Sequence, residues 1–488
     1  MSSEFLHTTD KAAKSLKWTS LIEILSRTAT PIVFIALATL LPPSDFGLLA
    51  TATIVVSFTQ IFIDNGLGRA LVRHETTSLE TVANTTFWVN LCLSVVLYGL
   101  IFLFAPWIAA GFHQNELVSI IRVLGLQVVV ASTATVQQSL LQRNFAFKRL
   151  LAAKLCSAFI PGIVSILLAS RGYGVWSLVF GALAMSIINS AALWIACSWK
   201  PRFGCDWAAV LPILAFGSWT LAEAFASWFI LWGDSLIVGS FLGVEQLGLY
   251  RVACNISVVL FTIFLNPLIA VLYPYLSRLQ GDSIALRNVF GKLNRLVTAL
   301  ALPLGLGVLL VAPATVPLIF GNRWTGLGLL LALISLRDGI SWLAGINPEL
   351  YRAIGRPDIT VKTIFIAMCF YMPIYLLSAP HGLYIFVVAR LGATILGLAV
   401  HVFFTTRLIG VRRTYLWNDN RTVAVACAAM CAAVFTGQAL LSMMTSVSPA
   451  VSAVSLILLG AVVYAAVLWK VDPGLISLAT RLLNRAAS

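Results

Sequence analysis

The chain has 488 residues, 60% of them hydrophobic and only 10% charged, with a formal net charge of +14 and a mean hydropathy of +0.95. Soluble proteins carry roughly 25% charged residues, so the composition excludes a soluble domain and requires spans that are helices of about 20 residues or a closed barrel. The apolar runs are too long for barrel strands, and no block of five like charges or glycine-rich phosphate loop accompanies the basic surplus, which argues against nucleic acid as a partner.

In chain order, the first apolar run covers 18–41 and follows Lys11, Lys14 and Lys17. Glu23, Arg27 and Pro31 interrupt it, so it reads as a first true helix and not as a cleaved signal peptide. The stretch "LPPSDFG" (Leu41 to Gly47) reads as a stop, a turn and a helix start capped by Ser44 or Asp45. Runs at 46–67, 85–109, 119–141, 151–170 and 174–197 complete a first set of six. A second set covers 210–232, 247–271, 293–320, 326–350, 360–378 and 384–408, and two more runs, 423–445 and 449–469, follow a polar break. The expectation is an all-α polytopic protein of about fourteen transmembrane helices.

The basic residues support this parse. With the N-terminus in the cytoplasm, 25 of the 32 Lys and Arg fall at alternate gaps, from Lys11/Lys14/Lys17 through Arg143/Lys148/Arg149 to Lys470/Arg481/Arg485. The intervening gaps hold only Arg122, Arg171 and Arg323. Cytoplasmic loops accumulate Lys and Arg, so both termini are expected inside.

A weak internal repeat runs through the chain. "SLIE" ending at Glu23 resembles "TLAE" ending at Glu223, "DFGLLATA" from Asp45 resembles "QLGLYRVA" from Gln246, and "RGYGVWSLVF" from Arg171 resembles "PHGLYIFVVA" from Pro380. Six spans separate the copies, so both halves insert in the same orientation, as in transporters built from parallel repeats. The expected organisation is a lobe at 1–209, a second lobe at 210–409, and two accessory helices with a cytoplasmic tail at 410–488. Gly47 and Gly248, which open repeat-equivalent spans, read as sites of close helix contact.

Four arginines remain inside apolar runs: Arg27, Arg251, Arg337 and Arg390. Glu23, Glu223 and Asp338 lie inside runs as well. Charges in hydrocarbon are costly and normally face a cavity or a partner. Glu23 and Arg27, spaced i,i+4, share one helix face, whereas Asp338 points roughly 100° away from Arg337. Arg251 and Arg390 have no carboxylate nearby on their own helices, and such guanidinium groups call for an anion from another helix or a phosphate. The carboxylates are candidate charge partners or proton-coupling groups. The 8 Cys and 5 His form no metal-binding spacing and no catalytic constellation is visible, so no cofactor and no enzymatic activity is expected.

The stretches "LLPPSDFGLLATATIVVSFTQIFIDNGLGRALVR", "GDSLIVGSFLGVEQLGLYRVA", "QRNFAFKRLLAAKL" and "YRAIGRPDITVKT" resemble the polysaccharide-transport branch of the multidrug/oligosaccharidyl-lipid/polysaccharide exporters, the Wzx-type flippases of bacterial exopolysaccharide, capsule and O-antigen assembly. The resemblance implies two pseudo-symmetric six-helix lobes in a V with two C-terminal helices beside them. It implies a cationic cavity that passes an undecaprenyl-pyrophosphate-linked oligosaccharide across the bacterial inner membrane, with membrane lipid, polysaccharide polymerase and export machinery as partners. Arg27 and Arg251 match, by helix, two of the cavity arginines of the related peptidoglycan-precursor flippase, and are expected to hold the pyrophosphate. The second span departs from that pattern, with Arg69 at its cytoplasmic end and no basic residue in its core. A cation antiporter of the same superfamily is the alternative, and four buried arginines argue against it. A membrane glycan polymerase or ligase is a third reading, weakened by outer gaps of about twenty residues or fewer, because such enzymes tend to carry a large outer loop.

The alternation of basic residues makes a topological prediction. Reporter fusions at Asp282 and Arg413 should report cytoplasm, and fusions at Val244 and Val447 the opposite side. An external signal at Arg413 would break the parse.

Overall fold

The structure is a computed structural model that describes residues 33–64, 79–144, 146–204, 207–412, 414–443, 448–475 and 477, with the backbone alone described for 207–223. Residues 33–40 are helical. The longer helices are α1 (Pro43–Asp64), α2 (Leu79–Gly111), α3 (Leu117–Ser132), α4 (Thr135–Arg143), α5 (Phe147–Ser170), α6 (Val175–Ala196) and α7 (Trp207–Ser277). After them come α8 (Ser283–Phe320), α9 (Leu327–Ser341), α10 (Asn347–Ala353), α11 (Pro357–Ser378), α12 (Leu383–Ile409), α13 (Tyr415–Met443) and α14 (Pro449–Val471).

Among the described residues, 12 helical stretches are long and apolar enough to cross a membrane. They do not establish the expected fourteen. The first expected span lies largely outside the described residues, and the seventh and eighth run together in α7, which breaks at Gly243 (φ 82°, ψ 175°). The expected span 119–141 is α3 followed by α4, with a step at Thr133 and Ala134. There the Ser132 hydroxyl donates to the Val129 carbonyl at 2.8 Å and that of Thr133 to Val130 at 2.7 Å. Such back-bonds compete with the helical ladder and bend it. Helix α1 begins at Pro43, one or two residues before the expected cap. Proline's fixed φ and missing N–H suit a first helical position, and Asp45 then lies in the first turn, where the helix dipole favours a carboxylate.

The chain divides into two compact units, Met1–Gly248 and Leu249–Ser488. In the first, Leu48, Ala52 and Val56 recur along one face of α1 and pack with Ile120, Ile121 and Leu124 of α3 in a core that α2 and α6 complete. In the second, Phe261 and Leu265 of α7 pack with Phe290 and Val297 of α8 and Tyr351 of α10. Small residues let α8 and α9 approach closely: a Cβ on Gly305 would lie 2.6 Å from the Ser335 carbonyl oxygen, and one on Gly339 3.0 Å from that of Ala301. Contact of this kind replaces the hydrophobic drive that helices lack in lipid. The last two helices are tied to α8 by polar bonds, Tyr464 Oη to the Ala299 carbonyl at 2.6 Å and Gln438 Nε2 to that of Leu310 at 3.0 Å.

The repeat leaves structural marks. Gly174 (φ 54°) and Gly382 (φ 105°) both stand as N-caps, of α6 and α12 respectively, with positive φ. Gly47 and Gly248 meet reciprocally: a Cβ on Gly47 would come 1.8 Å from the Val244 carbonyl oxygen, and one on Gly248 1.9 Å from that of Pro43. The close contact expected of these glycines is therefore present, backbone against backbone. Added methyl groups have no flexible neighbour to displace, and overpacking typically costs about 1–3 kcal/mol. Gly47→Ala and Gly248→Ala should each lower the thermal midpoint of the purified protein by several degrees. Gly99→Ala, with nothing within 4 Å of the new methyl, should not lower it.

Candidate functional site

The second unit gathers charge and hydroxyl groups from four of its helices. Helix α7 presents Tyr250, Cys254 and Ser257 at i, i+4 and i+7, one face of a 3.6-residue helix. Helix α12 presents Arg390 and Thr394 at i and i+4, and α11 presents Tyr371 and Tyr375 at the same spacing. Helix α9 supplies Ser335, Arg337 and Asp338. The sequence makes these segments helical because each is an apolar run, and the polar residues in them recur at the helical period.

Arg337 holds the cluster together. Its Nη1 lies 2.6 Å from Asp338 Oδ1, and its Nε donates to Thr394 Oγ1 at 3.0 Å. The second carboxylate oxygen of Asp338 accepts from the Ser257 hydroxyl at 2.6 Å, and Ser257 in turn is 3.3 Å from the Ser335 hydroxyl. Asp338 thus satisfies a guanidinium on its own helix and a hydroxyl on α7. Arg390 Nη1 donates to the Tyr250 hydroxyl, its guanidinium lies 5.5 Å from the centre of that ring, and Cys254 Sγ is 3.7 Å away. Arg337 and Arg390 are near enough to repel each other, and Tyr371 feels both charges. Behind them Tyr250 and Tyr375 both contact the Phe386 ring, at centroid distances of 5.8 and 5.2 Å. Tyr250 and Ser257 are fully buried, while the Arg337 side chain keeps 22% of its surface accessible.

Of the seven charged residues expected from sequence, three meet here: Arg337, Asp338 and Arg390. The angular argument that separated Arg337 from Asp338 is corrected, because a long arginine side chain can curl back to the neighbouring carboxylate despite the 100° step. Arg251 is partly buried on α7, one residue beyond Tyr250 and so about 100° from the face that carries Tyr250, Cys254 and Ser257. Glu23 and Arg27 lie outside the described residues, and Glu223 lies in the stretch of α7 described by its backbone. Sequence reasoning missed Tyr250, Ser257, Tyr371 and Thr394. The available signal was helical spacing: Tyr250 and Ser257 share a face at i,i+7, Tyr371 stands i,i+4 from Tyr375, and Thr394 stands i,i+4 from Arg390.

A further polar cluster joins α10 to α12. Asn347 Nδ2 donates to Thr405 Oγ1 at 2.9 Å, and the Tyr351 hydroxyl is 3.2 Å from the same oxygen and 3.3 Å from His401 Nδ1. These groups bond to one another, while Asn347 Oδ1 is buried with no hydrogen-bond partner among the described residues.

Comparison with known proteins gives a consistent picture. Residues 36–327 match the family described as "Polysaccharide biosynthesis protein". The chain is 25% identical over 321 residues to the succinoglycan biosynthesis transport protein ExoT of Rhizobium meliloti (strain 1021), covering 65% of each chain, just under two thirds of that relative. It is 26% identical over 361 residues to the lipopolysaccharide biosynthesis protein WzxC of Escherichia coli (strain K12), covering 72% of each. Among solved structures the fold is similar to the lipid II flippase MurJ in its inward closed conformation, with a TM-score of 0.74 over 94% of this chain and 99% of that one, at 14% identity. Arg251 falls within the segment matched by the family, whereas Arg337 and Arg390 lie beyond it. The chain is a multi-pass membrane protein that belongs to the polysaccharide biosynthesis protein family.

Proposed function

We propose that the protein moves a polyprenyl-pyrophosphate-linked oligosaccharide from the cytoplasmic to the outer leaflet of a bacterial inner membrane, by alternating access. The observation that carries this reading is the arginine cluster of α9 and α12. Two guanidinium groups sit on apolar helices, each bonded to a hydroxyl, and one of them, Arg337, also pairs with Asp338. The bonds of Arg337 use its Nε and Nη1, which leaves the Nη2 edge for a ligand among the described residues. Guanidinium groups bind phosphate oxygens through charge-assisted hydrogen bonds, roughly twice as strong as neutral ones. Flipping breaks no covalent bond, so no nucleophile is needed. The names of the relatives, which refer to succinoglycan and lipopolysaccharide biosynthesis, support a glycan as the cargo.

Arg27 and Arg251 belong to the same proposal as the groups that take the pyrophosphate at another stage of the cycle, with Glu23 and Glu223 as candidate proton carriers. The lipid is proposed to be undecaprenyl, with both termini of the chain in the cytoplasm. Four intramembrane arginines oppose a cationic drug as cargo, because they would repel it.

The cluster separates a purely structural role from a ligand role in one experiment. Removing one partner of a buried ion pair is strongly destabilising, by about 3–5 kcal/mol, so Asp338→Ala alone should lower membrane abundance. The double variant Arg337→Ala/Asp338→Ala removes both charges and should restore abundance. If Arg337 holds substrate, the double variant still fails to deliver lipid-linked glycan to the outer leaflet, by at least tenfold. Arg337→Lys, Arg27→Lys and Arg251→Lys should likewise lose delivery at normal abundance, since lysine supplies charge without the planar fork. Normal delivery by the double variant and by all three lysine variants would refute the phosphate role.

A further inference from the structure

The first unit contains a cavity of about 800 Å³ whose chemistry differs from that of the arginine cluster. It is lined from five helices, with Gln60 of α1, Gln127 of α3, Gln138 and Gln142 of α4, and Asn189 of α6 contributing amides, and α5 contributing Lys154 and Ser157. Gln138 and Gln142 stand one helical turn apart and present adjacent amides. Among the described residues, the lining holds no carboxylate and no aromatic ring, and Lys154 is its single charged group. Its volume lies at the upper end of the roughly 300–1,000 Å³ usual for ligand pockets.

Five amides converging on one space in a membrane-spanning unit are costly unless something hydrogen-bonds them. Gln127 makes this concrete: its Nε2 is buried and has no hydrogen-bond partner among the described residues. An amide offers donors and an acceptor in one plane, a combination that meets neighbouring hydroxyl groups, each of which donates and accepts. Amides give a phosphate no charge, give a prenyl chain no apolar surface and give a drug cation no counter-ion. Leu150, Leu151 and Met185 supply apolar patches between the amides, suited to the C–H faces of a sugar ring.

We infer that this cavity is a saccharide chamber: it takes the uncharged, hydroxyl-rich sugars of the lipid-linked glycan, while the pyrophosphate is held by arginine. The inference rests on the flippase reading above and adds to it the part of the chain that reads the sugar. Gln60, Gln127, Gln138 and Gln142 are its specificity-determining residues.

The test uses the full chain in lipid nanodiscs and three probes: citronellyl pyrophosphate, and the same pyrophosphate carrying one glucose or one galactose. The wild type should bind at least one glycosylated probe about tenfold more tightly than the bare one. Gln127→Leu/Gln138→Leu should bind the bare pyrophosphate as the wild type does and lose the gain from the sugar. Gln138→Ala/Gln142→Ala, which alters two exposed side chains, gives the same readout if the leucine variant fails to fold. A wild type that binds bare pyrophosphate and gains nothing from either sugar overturns the chamber and leaves the pyrophosphate site standing. A gain that survives in a folded glutamine variant overturns it too. A wild type that binds none of the three probes overturns the lipid-linked reading, and the chamber with it.

Discussion

A guanidinium placed in the middle of a membrane helix must find its hydrogen bonds inside the protein, since the cost of leaving it in hydrocarbon is about 3 kcal/mol even on permissive insertion scales. That requirement organises the second unit. Arg337 is answered by Asp338 and Thr394, Asp338 by Ser257, and Arg390 by Tyr250. All of these partners except the neighbouring Asp338 come from another helix, so meeting the need of two arginines fixes α7, α9 and α12 against one another. The apolar core around Phe261, Phe290 and Tyr351 then packs around helices whose register is already set. Glycine contacts such as Gly305 with Gly339 bring α8 close against α9 within the same unit.

The same constraint takes a partly neutral form in the first unit, where amides and hydroxyls stand beside charged groups such as the buried Asp234 and the cavity's Lys154. Some are satisfied locally, as where the Ser94 and Ser132 hydroxyls meet at 2.8 Å and Trp194 Nε1 donates to the Thr133 carbonyl at 3.0 Å. Others, Gln127 among them, face open volume. A substrate with a doubly charged linker and an uncharged glycan offers both kinds of group.

The helices were legible because hydrocarbon imposes a length and a composition, and because Lys and Arg mark alternate gaps. The buried arginines were legible for the same reason, standing out against apolar runs. Their partners were not. Tyr250 and Arg390 are 140 residues apart and Ser257 and Asp338 are 81 apart, and a tyrosine or serine in an apolar run carries no mark of what it will face. The neighbouring pair Arg337 and Asp338 was misread because helical angle was weighed without side-chain reach. The glutamines of the first unit escaped notice because they are spread over three helices, and only tertiary structure brings them to one cavity. The glycine contact of Gly47 with Gly248 was accessible, since both positions recur in the repeat.

The central claim is that the buried arginines serve an anionic, lipid-linked cargo. Its most direct measurement is transbilayer movement in vesicles reconstituted with the wild-type protein, using a fluorescent polyprenyl-pyrophosphoryl glycan whose appearance in the opposite leaflet is read by an impermeant quencher. The account predicts protein-dependent movement of that lipid, and none of a cationic lipophilic dye in the same vesicles. Movement of the dye with the glycan lipid left in its starting leaflet would contradict it.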